Sequence, residues 1–423
     1  MTMERRDFLK LIGAGVGVGA SGALFAQSSG QRVVVVGGGF GGATAAKYLK
    51  LKNPGLNVVL IEPNRQYVSC PLSNEVLGGE ATIEHLTFGY DGLKKRGVTL
   101  VHETVTAIDP QARKITVSSG GTFTYDRAIV APGIDFRWDA IKGYDEAASQ
   151  AIPHAYKAGA QTTLLANQLK SMKDGGVVII TVPEYPFRCP PGPYERASMI
   201  AHYLKHHKPR SKIIILDAKE SFSKQGLFMQ GWKQHYAGMI EWVSGSKGGE
   251  VESVDVATRT VSSAVGNKHP ADVLNIIPPQ YAGKIAHTTG LVDPKGWCPV
   301  NVRTFESTQH PGIHVIGDAS MAGAMPRSGY SANSQAKVAA AAVIASLRGV
   351  PAGEPSFINA CYSMIAPEHG ISITNVYMVK DKQLIEVPGA GGISPMDATP
   401  EFRKLEVAHA KSWFRNVTTD MFT

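Results

Sequence analysis

Cysteine is scarce in this chain of 423 residues, and several marks of common functional classes are missing. Four cysteines are too few for a disulfide scaffold, and no Cys-x-x-Cys-His motif occurs that would attach a c-type haem. The formal charge of +8 is spread along the chain without a block of Lys or Arg, which argues against a nucleic-acid-binding protein. A weakly basic surface can instead help an acidic partner to dock.

Long apolar runs are also absent after the N-terminal region, so we expect the mature chain to be soluble. The N-terminus has a basic start at 4–10, followed by an apolar, glycine-rich centre at 11–25. This centre is shorter than the about 20 residues of a membrane span and has no polar face, so it is typical of an export signal. Its adjacent arginines resemble the twin-arginine type, which exports folded proteins. We expect residues 1–26 to be this signal and the mature protein to be periplasmic.

A glycine motif follows the first predicted strand. Four valines at 33–36 predict a strand buried on both faces, and the small residues after the motif predict a helix. In the G-x-G-x-x-G spacing, Gly37 allows a tight turn, Gly39 lets the backbone approach a pyrophosphate, and Gly42 lets helix and strand pack closely. A second predicted strand ends at Glu62, about twenty positions later, where a carboxylate can hold a ribose hydroxyl. The set predicts a dinucleotide-binding unit, and the alternative is a glycine-rich turn without a ligand.

Further short strands are predicted beyond this unit. Three of them predict a meander, at 99–101, 114–117 and 122–125. A buried strand then ends in the Ala-Pro-Gly turn of 131–133, and a late buried strand closes with Asp318 ahead of a helix over 331–347. Together with the glycine motif, these features resemble the FAD-binding parts of the flavoprotein disulfide reductase superfamily, whose first domain is split in sequence. We expect Asp318 to meet the ribityl or phosphate part of the flavin.

The inserted segment contains a second unit of strand, helix and strand, with strands predicted at 175–181 and 212–217. Its turn at 182–195 contains no G-x-G-x-x-G and is rich in proline, which offers no N–H group to a pyrophosphate. We therefore expect no nicotinamide cofactor here. The turn offers Cys189 instead, with Glu195 in the first turns of the next helix.

Together these patterns predict an α/β protein with two dinucleotide-binding (Rossmann-like) domains, the first split in sequence, and a small C-terminal α+β segment. The FAD-binding domain is expected at 30–150 and 291–350, and the second domain at 151–290. A linker rich in proline and glycine precedes the C-terminal interface segment at 355–423, which contains Cys361.

Four motifs carry a more specific resemblance. They are Ser-Cys-Pro-Leu-Ser-Asn-Glu-Val around Cys70, Phe-Arg-Cys-Pro-Pro-Gly-Pro-Tyr-Glu around Cys189, Pro-Arg-Ser-Gly-Tyr-Ser-Ala-Asn-Ser-Gln at 326–335, and Ala-Cys-Tyr-Ser around Cys361. From about residue 32 onward, the chain resembles the flavoprotein subunit of flavocytochrome c sulfide dehydrogenase. The resemblance implies that Cys70 carries FAD through a thioether and that a separate c-type cytochrome subunit binds. It also implies that Cys189 and Cys361 form a redox-active pair beside the flavin, with Glu195 near them.

Sulfur chemistry supports these roles independently. Hydrosulfide attacks a disulfide sulfur, which gives a persulfide and releases a thiolate. The thiolate can pass two electrons into a flavin, and a carboxylate such as Glu195 can move the protons. The resulting hypothesis is a periplasmic FAD enzyme that oxidises sulfide to sulfur or polysulfide and reduces a c-type cytochrome.

Three other functions are compatible with the sequence. A sulfide:quinone oxidoreductase has the same fold and similar cysteine chemistry. It would need an amphipathic, membrane-binding C-terminus, whereas 402–423 intersperses polar and charged residues without a wide apolar face. The second alternative is a non-catalytic flavin-binding partner in a sulfur-oxidation system, and the third is an NAD(P)H-dependent reductase.

Each singled-out residue also has a plainer interpretation. Cys189 and Cys361 can form a static structural disulfide, and Cys70 can be a buried free thiol beside noncovalent FAD. Glu195 can simply cap its helix, and Cys298 is expected to pack as a small hydrophobe without a role. Four histidines lack companions at metal-ligand spacing and are expected on the surface or in packing, namely His154, His202, His206 and His207.

Overall fold

A computed structural model describes residues 30–423, and the predicted export signal lies outside them. The N-terminal part alternates strand and helix and then continues in short strands. Its strands are β1 Arg32–Val36, β2 Asn57–Ile61, β3 Gln66–Val68, β4 Thr87–Gly89, β5 Thr99–Val101, β6 Val105–Asp109, β7 Lys114–Val117, β8 Thr122–Thr124, β9 Arg127–Val130 and β10 Ile134–Phe136. Its helices are α1 Phe40–Lys52, α2 Ser73–Gly78 and α3 Asp91–Lys95.

The inserted segment repeats the alternation of helix and strand. Its helices are α4 Ala160–Ser171, α5 Gly192–His207 and α6 Gln225–His235. Its strands are β11 Val177–Val182, β12 Lys212–Asp217, β13 Ile240–Val243, β14 Val251–Asp255, β15 Thr260–Ser263, β16 Lys268–Pro270 and β17 Val273–Ile276. The remaining elements are β18 Gln280–Ala282, α7 Lys284–Thr288, β19 Ile313–Val315, α8 Gly329–Leu347, β20 Ser356–Ala366, β21 His369–Lys380, β22 Gln383–Glu386, β23 Gly392–Ile393 and α9 Pro400–Phe422.

Two parallel sheets form the centres of the two large domains. The first has the order β19–β9–β1–β2–β5, and the second has the order β13–β12–β11–β17. The valines at 33–35 are fully buried, as expected for a strand covered on both faces. Since β19 joins the first sheet from beyond the insertion, the predicted α/β fold with a split first domain is confirmed.

The predicted meander is partly wrong. The strand at 99–101 is β5, which pairs in parallel with β2 at the edge of the first sheet. The antiparallel meander consists of β6, β7 and β8 instead, and β6 was missed by the sequence analysis. Only Ile108 of β6 is buried, so this strand shows none of the alternation that marks a half-buried strand.

The C-terminal segment is a long antiparallel hairpin, β20–β21, covered by α9. Thr399 caps α9 through its hydroxyl, which accepts a hydrogen bond from the backbone N–H of Phe402. The helix buries a stripe along one face, including Val407, Ala410 and Phe414. This stripe packs inside the protein, whereas Phe402 and Leu405 near the start of the helix are exposed. Within residues 30–423 no helix has the length and apolar character that crossing a membrane requires.

Candidate functional site

A cleft of about 870 Å³ lies at the carboxyl ends of β1 and β2. Ligand pockets commonly have volumes of about 300–1,000 Å³. The glycine turn and the loop after β2 form one wall, and Arg188 and Asp318 contribute to the other. The cleft is thus at the edge where parallel α/β sheets bind their ligands.

The glycine turn is closely packed on one side and open on the other. Gly37 has a φ of +93°, and a Cβ atom there would lie 2.4 Å from the backbone oxygen of Ala131. A Cβ atom on Gly42 would lie 1.7 Å from the backbone oxygen of Gly37, so only glycine fits. Gly39 lines the cleft at the start of α1 and has no side chain to accept hydrogen bonds from the first helical turn. These N–H groups suit a pyrophosphate.

Glu62 follows β2 at the edge of the cleft. One carboxylate oxygen accepts a hydrogen bond from the backbone N–H of Gly38 at 2.8 Å. The other accepts from the backbone and side-chain nitrogens of Asn64, at 2.9 and 2.7 Å. A carboxylate has about four acceptor sites, so this geometry leaves room for a ribose hydroxyl.

Asp318, on the short 3-10 helix Gly317–Ala319, has an unused acceptor. Its Oδ2 lies 3.7 Å from Nη1 of Arg188, whereas its Oδ1 is buried and has no hydrogen-bond partner among residues 30–423. Burial raises the pKa of the carboxyl, and the guanidinium groups of Arg188 and Arg327 partly offset that rise. An orphaned acceptor in a ligand cleft fits a hydroxyl donor such as the ribityl chain. The residues present therefore fit FAD.

The thiol of Cys70 lines the same cleft. Its Sγ atom lies 3.5 Å from Nη2 of Arg188 and 3.9 Å from the backbone oxygen of Tyr156. Arg188 thus stands between Cys70 and Asp318, and its neighbour in the chain is Cys189. All four cysteines of the chain are free thiols in the structure.

Glu195 connects three segments that each carry a cysteine. It lies in the first turn of α5, where Oε1 accepts a hydrogen bond from the backbone N–H of Met364 at 2.9 Å. Its Oε2 accepts from Nδ2 of Asn74 at 2.8 Å. Met364 and Cys361 both lie on β20. Asn74 lies on α2, which begins three residues after Cys70. No side-chain cap bond forms at the start of α5, and the Glu195 carboxylate bonds to two other elements instead.

Cys189 and Cys361 are close enough for their charges to interact. Burial raises the pKa of the Cys189 thiol well above its usual range, and negative charge on Cys361 and Glu195 raises it further. Burial likewise raises the pKa of Cys361. Cys189 is held in a left-handed conformation, with a φ of +54°, by a hydrogen bond from its N–H to the backbone oxygen of Arg327 at 2.8 Å. Burial also raises the pKa of Glu195.

Comparison with known proteins adds to this geometry. Three family models match the chain: the central part of the sulfide dehydrogenase (flavocytochrome c) flavoprotein chain at 162–278, the flavin-binding part of flavocytochrome c sulfide dehydrogenase at 353–422, and the pyridine nucleotide-disulfide oxidoreductases at 31–172. The sulfide dehydrogenase flavoprotein chain of Chlorobaculum thiosulfatiphilum is 59% identical over 46 residues, which are 11% of this chain and 96% of that sequence. This chain belongs to the flavocytochrome c sulfide dehydrogenase flavoprotein family.

More distant relatives of this flavoprotein include mitochondrial sulfide:quinone oxidoreductases. The one from Dictyostelium discoideum is 25% identical over 311 residues, so that 68% of this chain aligns with 65% of that protein. The chain thus spans slightly less than two thirds of that relative. The crystal structure of sulfide:quinone oxidoreductase from Aquifex aeolicus superposes with a TM-score of 0.69 at 18% identity, covering 92% of each chain. That likeness confirms the fold.

The sequence alone predicted only some of the residues that form the site of this flavoprotein. The structure brings Glu195 together with Cys189 and Cys361, and it places Cys70 in the adjoining cleft with Gly37, Gly39, Glu62 and Asp318. Their functional roles stay predictions. Cys298 is fully buried in the core. No prediction from the sequence covered a set of supporting residues, namely Asn74, Arg188, Arg196 and Lys224. Arg196 belongs to this set because its Nε donates a hydrogen bond to Oδ1 of Asn74 at 3.1 Å.

Some of these residues had a sequence signal. Arg188 precedes Cys189, and Asn74 lies four residues after Cys70, so both could have been suspected from adjacency. Lys224 lies in a polar turn far from every cysteine and carries no such signal. Among the histidines, His154 is buried against Phe136, with ring centroids 4.3 Å apart. In the part of the chain that the structure describes, no three side chains form a candidate metal site.

Proposed function

We propose that this chain oxidises hydrosulfide to sulfur or polysulfide at Cys189 and Cys361, and passes the electrons through FAD to a c-type cytochrome. The observation that carries the proposal is the junction at Glu195, which joins the strand that contains Cys361, the helix that follows Cys70 and the helix that follows Cys189. Membership of a sulfide dehydrogenase flavoprotein family supports the same activity.

The chain's own residues account for the sulfur steps. Hydrosulfide attacks one sulfur of the Cys189–Cys361 disulfide, the S–S bond breaks, and the attacked cysteine becomes a persulfide while the other leaves as a thiolate. FAD, when bound, supplies a two-electron acceptor that can release electrons singly. Each hydrosulfide that ends as zero-valent sulfur gives up one proton and two electrons. Glu195 is the buried carboxyl beside the pair, and its raised pKa suits it to accept that proton.

The test is anaerobic stopped-flow mixing of the flavoprotein with sulfide. We expect the flavin absorbance to bleach in the natural protein and to stay unchanged in Cys189→Ser and Cys361→Ser. Cys298→Ala is the matched control, because this thiol is buried and does not line the cleft, and it should bleach normally. Undiminished turnover in both Ser variants would overturn the mechanism.

We also propose that Cys70 holds FAD through a thioether. Its position in the cleft, with Sγ 3.5 Å from Nη2 of Arg188, supports this role. A denaturing gel under ultraviolet light should show flavin fluorescence on the polypeptide, and Cys70→Ser should lose it. Fluorescence confined to the dye front in the natural protein would show that the flavin is noncovalent.

Quinone is the second candidate electron acceptor, because several relatives are sulfide:quinone oxidoreductases. Against it, α9 directs its apolar stripe into the protein. We expect sulfide-dependent reduction of cytochrome c and little reduction of a soluble quinone analogue. The opposite pattern would assign the quinone activity.

We further propose export by a twin-arginine signal at 1–26, supported by the basic start and the short apolar centre of the sequence. The measurement is N-terminal sequencing of the protein recovered from the periplasmic fraction. It should begin near residue 27, and replacing both adjacent arginines by lysine should leave the protein in the cytoplasm. Full-length protein confined to the cytoplasm in the natural case would refute the export proposal.

A further inference from the structure

A buried lysine without a carboxylate partner lies beside the dithiol pair. Lys224 immediately precedes α6, and only 6% of its surface is exposed. Its Nζ donates hydrogen bonds to the backbone oxygen of Cys361 at 3.2 Å and to Oγ of Ser363 at 2.8 Å. None of the ion pairs formed within residues 30–423 includes Lys224.

A nearby lysine shows the more usual arrangement. Lys219 is equally buried, but its Nζ lies 2.6 Å from the carboxylate of Asp217. Buried charges are normally paired in this way, because an isolated ion loses its hydration without compensation. Within residues 30–423, Lys224 has two neutral acceptors for an ammonium with three N–H groups. Its geometry therefore leaves one N–H group and the positive charge for an anion.

The surroundings of Lys224 indicate which anion this is. Its charge acts to lower the pKa of both Cys189 and Cys361, although burial raises both pKa values overall. The remaining anionic neighbour is Glu195, whose two oxygens already accept hydrogen bonds from other elements. Among these neighbours, the sulfur atoms of Cys189 and Cys361 can gain negative charge, and neither accepts a hydrogen bond within residues 30–423.

We propose that Lys224 binds the anionic sulfur species that form at Cys189 and Cys361, namely the incoming hydrosulfide and the thiolate left when the disulfide opens. This inference rests on the proposed function and deepens it. Attack by hydrosulfide forms one S–S bond and breaks another, and the electron pair of the broken bond stays on the departing sulfur. One negative charge is present before and after the step. Lys224 is placed to neutralise it in both positions.

The test uses Lys224→Met, which keeps the length of the side chain without its charge, and Lys224→Arg, which keeps the charge. Ser363→Ala is the matched control, since it removes a hydrogen bond to Nζ but leaves the ammonium. The readout is the rate at which iodoacetamide alkylates Cys189 and Cys361 in the reduced protein, followed by peptide mass spectrometry over a pH series. This measurement requires neither sulfide nor a cytochrome.

A cation within a few ångströms shifts a thiol pKa by about 1–3 units. In Lys224→Met, the midpoint of the alkylation profile should therefore rise by at least about one pH unit, with a tenfold lower rate near neutral pH. Lys224→Arg and Ser363→Ala should stay within about threefold of the natural protein. Five other ionisable groups face these thiols and are unchanged in every variant, namely Arg188, Glu195, Arg196, Tyr156 and Tyr377.

A second readout is the rate of flavin bleaching at low sulfide, which should fall at least tenfold in Lys224→Met and recover in Lys224→Arg. Thermal melting checks that each variant is folded. If Lys224→Met is not folded, Lys224→Gln is used in its place. An unchanged alkylation midpoint in folded Lys224→Met or Lys224→Gln would overturn the inference. A midpoint in Lys224→Arg that is raised as much as in Lys224→Met would also overturn it. If sulfide fails to bleach the natural protein while the midpoint still depends on Lys224, the proposed function fails and the thiolate-binding role stands.

Discussion

Glu75 gives a pH-dependent stability that can be measured. It lies on α2 next to Asn74, and only 7% of its surface is exposed. Burial raises the pKa of its carboxyl to about 7, with Lys411 opposing the shift and negative charge on Glu195 adding to it. The perturbation is Glu75→Gln, which keeps the shape of the side chain and removes the titration.

The sign follows from linkage between protonation and folding. A carboxyl whose pKa is higher in the folded state binds its proton more tightly there, so folding is favoured at low pH and loses this contribution as the pH rises. The window runs from the usual glutamate pKa of 4.5 to the folded-state pKa of about 7. At about 1.4 kcal/mol per pH unit, the natural protein loses on the order of 3 kcal/mol across it. Glu75→Gln loses no stability from this position over the same pH range, because its side chain does not titrate.

The assay is urea unfolding of both proteins at several pH values between 4.5 and 8. The free energy of unfolding of Glu75→Gln minus that of the natural protein should increase with pH by about 3 kcal/mol, most of it below pH 7. Glu84→Gln is the control, because the Glu84 carboxyl is fully exposed, and its difference should not increase in this way. A difference for Glu75→Gln that stays constant with pH would refute the reasoning.

Three further substitutions have expected outcomes. Gly42→Ala should abolish flavin retention, because its Cβ would lie 1.7 Å from the backbone oxygen of Gly37. Gly89→Ala is the control, because its Cβ would lie in open space, and it should retain flavin. Absorbance spectra of the purified variants measure the retained flavin. Lys219→Met should lower the free energy of unfolding by about 3–5 kcal/mol, measured by urea unfolding, because it leaves a buried carboxylate without its ion pair. Asn74→Leu removes a hydrogen bond that lowers the pKa of Glu195, so the acid limb of the pH profile of flavin reduction should move to higher pH.

Local signals accounted for most of the fold. The valine run and the glycine spacing at 33–42 predicted a strand, turn and helix because all the determinants are adjacent in sequence. The pairing of β5 and the presence of β6 were not predicted, for the opposite reason. β5 and β6 have three and five residues, and their partners are chosen by sheet order rather than by their own pattern.

The site likewise contains residues that local sequence motifs predicted and contacts that they did not. The resemblance pointed to the cysteines, but not to the contacts that hold them together. Glu195 bonds to Met364, 169 residues away, because α5 packs on β20, and no pattern within either segment specifies that packing. The buried ammonium of Lys224 likewise depends on where α6 begins relative to β20.

The second domain shows how a dinucleotide fold can support other chemistry. Asp217 ends β12, the position at which the first domain has Glu62, but its carboxylate is already saturated. Oδ2 accepts from the hydroxyl of Tyr194 at 2.5 Å and from Nε1 of Trp242 at 2.9 Å, and Oδ1 accepts from the backbone and side-chain nitrogens of Lys219 at 3.0 and 2.6 Å. Four donors fill about four acceptor sites, so no site is left for ribose hydroxyls. Since Tyr194 precedes Glu195 on α5, the same bonds fix the helix that carries the carboxyl beside the dithiol pair. The acid at the position predicted to bind a nucleotide in the first domain thus holds the first turn of α5 in place.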